Sequence, residues 1–163
     1  MAKAKPGELN YGSGPTGGDS HLGPELFKAL AGVNILHVPY KGGAAAITAL
    51  ISGEVQIALY DPGVLIPHAK AGRLRMLAVT TTAPTALAPG LPTVADTGLP
   101  GFELEGITGF FAPAKTPAAV INRLNQDSVR ALSSREVRDR FLAASVEVVA
   151  STPERLTDRV KSD

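Results

Sequence analysis

Three short stretches carry the residues best suited to holding a small anion. The first is Gly12-Ser13-Gly14-Pro15-Thr16-Gly17-Gly18-Asp19-Ser20-His21. Its glycines let the backbone come close to a ligand. Amides at the start of the helix that follows carry partial positive charge and favour an anion. Ser13, Thr16 and Ser20 add hydroxyl groups. The second stretch, Pro39-Tyr40-Lys41-Gly42-Gly43-Ala44, sets two more glycines before a helix. Lys41 there can neutralise an anion or simply face solvent, and Tyr40 can line a pocket or join the core. The third, Leu59-Tyr60-Asp61-Pro62, puts Asp61 where a strand hands over to a helix. Plainer readings stand beside these: a tight turn capped by Asp19 or Ser20, and Asp61 as an N-cap. The first loop lacks the lysine of a phosphate-binding P-loop, which argues against a nucleotide.

Catalytic constellations are poor. His21, His37 and His68 lack metal-ligand spacing. Ser13 has no G-x-S-x-G elbow around it. With no cysteine, a thiolate nucleophile and a Cys-ligated metal are excluded. Glu103 and Glu105 lie two apart and would share a face near a strand start, but nothing nominates a substrate for them. His21 opens a helix and can orient a loop, His37 in mid-strand reads as structural, and His68 reads as exposed on a helix. The expectation is a protein that is not an enzyme and needs no cofactor.

The elements that must position these loops alternate. Strands are expected at Leu9-Asn10-Tyr11, ending at Gly12, then at 34–40, at 55–60 and at 74–80. Helices are expected over 21–31, 44–52 and 62–71, stopped by Gly32, Gly53 and Gly72. That order predicts an α/β fold with a parallel sheet and helices on its faces. In such a sheet the loops at the carboxyl ends of the strands share one edge, where ligands bind. Four prolines between Thr81 and Gly101 mark a loop-rich middle. A strand is expected over 106–112, then helices over 117–133 and 135–144, a short strand over 146–149 and a last helix opened by Ser151-Thr152-Pro153-Glu154.

Composition narrows the class. The 163 residues fit one domain or a little more. Sixteen Lys and Arg against 15 Asp and Glu exclude a basic nucleic-acid binder as the default. A hydrophobic share of 44% permits a packed core, and 17 glycines with 13 prolines predict many turns. Met1 to Gly7 is basic without an apolar stretch behind it, so it is not read as a secretory signal. A cytoplasmic protein and a piece of a longer chain both remain open.

An ordered series of motifs resembles the second lobe of Bug-type solute-binding receptors, which serve tripartite tricarboxylate transporters. It runs through Leu9-Asn10-Tyr11-Gly12-Ser13-Gly14, His21-Leu22, Glu25-Leu26-Phe27 and His37-Val38-Pro39-Tyr40-Lys41-Gly42-Gly43. It continues in Ile66-Pro67-His68, Gly72-Arg73-Leu74-Arg75, Leu77-Ala78-Val79-Thr80, Leu91-Pro92-Thr93-Val94-Ala95, Gly98-Leu99-Pro100-Gly101-Phe102-Glu103 and Ala112-Pro113-Ala114-Lys115-Thr116-Pro117. The resemblance implies a two-lobed periplasmic protein that closes on a small carboxylate through main-chain amides and hydroxyls, then meets membrane transporter components. Carried onto this chain, it implies ligand contacts at Ser13, Thr16, Gly17, Ser20 and His21, a cleft lined by Tyr40, Lys41, Gly42 and Gly43, and contact with the ligand's far end at Asp61.

The resemblance implies that residues 8–112 form the second lobe. Residues 113–163 form a helical segment that packs on a first lobe this chain mostly lacks, or on a partner chain as a homo-oligomer or domain-swapped dimer. Gly18-Asp19 stands where the family has two hydroxyl residues, so Asp19 is expected to compete with a ligand anion for the helix amides. Pro62 replaces a common asparagine. The alternative expectation is a non-transport, oligomeric α/β protein with a structural or regulatory role.

Overall fold

A computed structural model describes residues 2–162. The chain divides after Gly106 into two compact units.

In the first unit β1 (Asn10–Ser13) is followed by α1 (Asp19–Ala31), β2 (Leu36–Pro39), α2 (Gly43–Ser52), β3 (Ile57–Ala58) and α3 (Pro62–Lys70). The sheet has the order β2-β1-β3 and is parallel throughout. The expected α/β class with a parallel sheet is therefore observed. β1 is the middle strand, and its residues Tyr11, Gly12 and Ser13 are all buried. Strand side chains alternate between faces. Tyr11 and Ser13 therefore share the face that carries Glu25 of α1, while Gly12 faces α2. A Cβ on Gly12 would lie 3.0 Å from Val55 Cγ2 and 3.6 Å from the Ala46 Cβ. β1 runs through Gly12 rather than ending there, and a side chain at Gly12 would press on Val55, just beyond α2. Gly32 and Gly53 end α1 and α2 in the left-handed conformation, as expected from the sequence.

The fourth strand expected over 74–80 is absent. Val79 forms one isolated bridge with Thr93: its amide donates to the Pro92 carbonyl and its carbonyl accepts from Val94. The segment's hydrogen-bonding groups are thus directed to the proline-bearing loop, and β3, two residues long, offers little edge to extend. The core beneath is built by Tyr11, Ile35, Ala46, Val55, Val79 and Phe102.

The second unit holds α4 (Ala118–Leu132), α5 (Arg135–Ala143) and α6 (Pro153–Ser162), with α5 and α6 both against α4. Asn125 Nδ2 donates to the Ser151 carbonyl at 2.9 Å. Ser134 caps α5 by accepting from the Val137 amide at 3.3 Å, as its position predicts. The strands expected over 106–112 and 146–149 are not formed. Phe110, Phe111 and Val149 are exposed, as are Val120 and Leu124 one turn apart on α4.

Candidate functional site

The parallel order places the ends of all three strands on one edge of the sheet, and the loops leaving them touch. A Cβ on Gly14 would lie 3.6 Å from the Gly43 amide nitrogen and 3.8 Å from the Gly42 carbonyl carbon. A Cβ on Gly43 would lie 3.1 Å from the Tyr60 ring. The first loop thus abuts the second, and the second abuts the third. The Tyr40 amide donates to the Ser13 carbonyl at 2.9 Å and ties the first two together.

Helices α1 and α2 begin on this rim at Gly18 and Gly42, and no side chain caps either. Their first amides therefore lack the acceptors that N-cap side chains usually supply. Neither Asp19 nor Ser20 serves as an N-cap: both lie inside the first turn of α1. Ser20 Oγ instead accepts from the Gly14 amide at 3.2 Å. Asp19 does not cap the amides it was expected to compete for, and its Oδ2 lies near Gly106. Asp61 stands at the start of α3 without a capping bond, so its carboxylate is exposed at the rim. Thr16, Gly17 and Lys41 are exposed, and Gly17 takes a left-handed φ of 92° with open space around it. His21 orients the first loop, its Nδ1 accepting from the Gly17 amide at 3.2 Å.

Two of the expected contacts lie below the rim instead of on it. Tyr40 turns its hydroxyl to Glu54 at 2.7 Å, and that bond raises its phenol above the ordinary range. Ser13 is fully buried. Its Oγ is 2.9 Å from the Gly14 carbonyl and 2.7 Å from His37 Nε2. A hydroxyl with one proton serves both contacts only if it donates to the carbonyl and accepts from His37 Nε2–H. The pair has the reach of a nucleophile and its base, but its hydroxyl faces no open space, so its geometry is that of a structural tie.

His37, read from the sequence as structural, is the residue that ties the first loop to the sheet. β2 pairs His37 beside Tyr11, and the same register sets it diagonally next to Ser13. Its ring stacks on Tyr11 at 4.8 Å and tilts against His21 at 4.5 Å. The Tyr11 hydroxyl donates to Glu25 at 2.7 Å, and Lys28 Nζ donates to the same carboxylate oxygen at 2.7 Å. The first loop therefore rests on a connected polar layer, Ser13–His37–Tyr11–Glu25–Lys28, with His21 alongside. His68 was read as exposed but is half-buried, and its Nδ1 is buried without a partner among the described groups. No three His, Asp or Glu residues gather closely enough for a metal ion among the described residues.

Burial first, and the adjacent His21 second, hold His37 below its ordinary value. The bonds from Lys28 and then Tyr11 hold Glu25 below the usual carboxylate range. Unfolding lets His37 take up a proton where the folded imidazole is neutral. The stability it contributes is therefore complete above about pH 6.5 and is lost as pH falls from there through the folded value. The Glu25 contribution begins to fade lower, below about pH 4.3. The titratable groups facing His37 are Tyr11 and, on α1, His21, Glu25 and Lys28. Urea midpoints measured from about pH 8 to about pH 4 should fall in two stages, and His37→Gln should remove the upper one; an unchanged upper stage would contradict the assignment.

The family model described as tripartite tricarboxylate transporter family receptor (TctC) matches residues 1–161. This chain belongs to that family. Protein BugT of Bordetella pertussis is 32% identical over 154 residues, covering 94% of this chain and 47% of BugT. The R. palustris protein Rpa4515, solved with adipate, superposes with a TM-score of 0.85 at 33% identity, covering 99% of this chain and 54% of that one. MatC (Rpa3494) from Rhodopseudomonas palustris, solved with bound malate, gives a TM-score of 0.75 at 27% identity, covering 96% and 54%. The chain thus spans about half the length of the curated relatives it matches. The periplasmic-binding-protein fold that the motifs implied is the fold of these neighbours.

Proposed function

We propose that this chain is the acid-gripping half of a solute-binding receptor that captures a small organic carboxylate in the periplasm for a tripartite tricarboxylate transporter. One observation carries the reading: three strand-to-helix loops meet on one rim, where α1 and α2 present uncapped amides. A carboxylate is the anion such a rim suits, since it accepts several N–H bonds at once. Thr16, Gly17, Ser20, His21, Lys41, Gly42 and Gly43 form the grip and Asp61 meets the far end, with Ser13 and Tyr40 supporting the loops from beneath. The reaction is binding without turnover, and no cofactor takes part. The acids held by Rpa4515 and MatC support the ligand class.

Residues 113–163 form the segment that packs on the receptor's other lobe or on a partner chain, which the exposed Phe110, Phe111, Val120, Leu124 and Val149 favour. The ligand, the transporter's membrane components and a second copy of the chain are the partners, and nucleic acid is not among them.

Calorimetric titration of adipate and malate into the chain, with native mass spectrometry on the same preparation, tests this. Binding of at least one acid is expected. Thr16→Ala should weaken it about 10–100-fold, the loss of one hydrogen bond to a charged group, and Asp61→Ala should change the preference between the acids. No binding of any carboxylate by a folded, assembled protein would sink the reading.

A further inference from the structure

The third loop holds a polar group that the fold leaves unused. The Tyr60 hydroxyl oxygen is buried and has no hydrogen-bond partner among the described groups. The other two tyrosines each give their hydroxyl to a carboxylate at 2.7 Å, Tyr11 to Glu25 and Tyr40 to Glu54. Phenylalanine would fill the same space without carrying a polar atom out of water. A buried donor left unmade costs the full desolvation of that group, and each such group in a native protein calls for an explanation.

Its position supplies one. The ring edge lies against Gly43 so closely that a Cβ there would come within 3.1 Å of Tyr60 Cε1 and 3.8 Å of Cζ. Cζ carries the hydroxyl, so the unpaired oxygen lies close to the first turn of α2. This is the side of the rim where the second and third loops meet, next to Asp61 and across Gly43 from Gly14.

We propose that the Tyr60 hydroxyl is a specificity determinant, kept for a second polar group of the bound acid, either a hydroxyl or a second carboxylate. The inference rests on the carboxylate reading above and adds to it which acids are accepted. The oxygen is closed to solvent in the unliganded chain, so the ring must turn toward the rim for an acid with a polar group near α2 to complete the phenol's hydrogen bonding. A monocarboxylate with an apolar chain leaves it unpaired in the complex too. Sites built around a buried polar group reject analogues lacking its partner far more strongly than apolar pockets reject a missing methylene.

The chain has three tyrosines and no tryptophan, so the long-wavelength end of its near-ultraviolet difference spectrum, beyond the phenylalanine bands, reports tyrosines. Malate, adipate and butyrate are titrated into wild type and Tyr60→Phe by this signal and by NMR, with thermal unfolding of both unliganded proteins. The expected result is tighter binding of malate or adipate than of butyrate by wild type. Tyr60→Phe should lose about tenfold or more for the preferred acid, equivalent to about 1.4 kcal/mol, with little change for butyrate and an equal or higher melting temperature. Equal affinities in both proteins would overturn the inference while leaving the carboxylate reading intact. A lowered melting temperature with unchanged binding would also overturn it, since the hydroxyl would then serve the fold, directly or through a water. Failure of all three acids to bind wild type would remove the carboxylate reading and this inference together.

Discussion

Tyr11→Ala is expected to lower the unfolding free energy of the first unit by about 3–5 kcal/mol. Domains of this size are held by only about 5–15 kcal/mol in total, so the variant should be largely unfolded at modest urea. The magnitude follows from where the ring sits. Tyr11 is completely buried in the middle strand, directly paired with His37 across β2 and stacked on its imidazole. Lys28 Nζ lies 5.6 Å above the ring centroid, and burial, followed by the bond to Glu25, keeps the phenol protonated far above its ordinary range. Removing the side chain opens a cavity in the sheet and takes the platform from under His37, which in turn holds Ser13. Tyr11→Phe separates the two contributions. It keeps the ring and loses one bond to Glu25, a carboxylate that Lys28 still holds, so a cost of about 1–3 kcal/mol is expected. Urea denaturation followed by far-ultraviolet circular dichroism measures both; an alanine variant less than about 1 kcal/mol below wild type would mean that the layer is not what supports the loop.

That layer also marks where sequence reading reaches its limit. The helices could be read because their signals are local: Gly32 and Gly53 stand where a left-handed stop is needed, and Ser134 stands one residue before α5. Alternation of strands and helices was enough to place the three loops on one edge. Strand extents were not readable in the same way, because pairing depends on residues far apart in the chain. The 74–80 segment has the residue types of a strand but gives its backbone bonds to Pro92 and Val94. Gly12 looked like an end signal and is instead a strand residue pressed against Val55 and the Ala46 methyl of α2.

The polar layer was hidden for the same reason. Period two says that Tyr11 and Ser13 share a face, but only the register with β2 brings His37 between them. Tyr60 was visible in the third loop as a residue type, yet nothing in the sequence says that its hydroxyl lacks a partner while those of Tyr11 and Tyr40 have one. The wider tripartite receptor resemblance rested on ordered motifs, and the first of them supply Tyr11, Ser13, Gly14, His21, Glu25, His37, Gly42 and Gly43 to the rim and the layer under it.

Gly14→Leu should abolish carboxylate binding while leaving the first unit folded. Gly14 is the point where the first loop meets the second, and its missing side chain faces the Gly43 amide, the Gly42 carbonyl carbon and Ser20 Oγ at 3.6–3.8 Å. These are ordinary van der Waals separations for a methyl group, and Gly14 is not among the residues with positive φ. Gly14→Ala should therefore fold normally and retain most binding. Leucine adds three further carbons in a direction already filled by backbone, so it must push the Gly42–Gly43 turn away from the first loop. The uncapped starts of α1 and α2 can then no longer reach one carboxylate together. Losing two charge-assisted bonds, each worth about 1.5–3 kcal/mol, corresponds to a fall of about two to four orders of magnitude in affinity. Titration of the two variants with the acid that wild type binds, alongside their urea midpoints, distinguishes the explanations. A leucine variant that binds as wild type does would show that the acid is not held where the first two loops meet. A leucine variant that unfolds would contradict the expectation that the turn alone gives way.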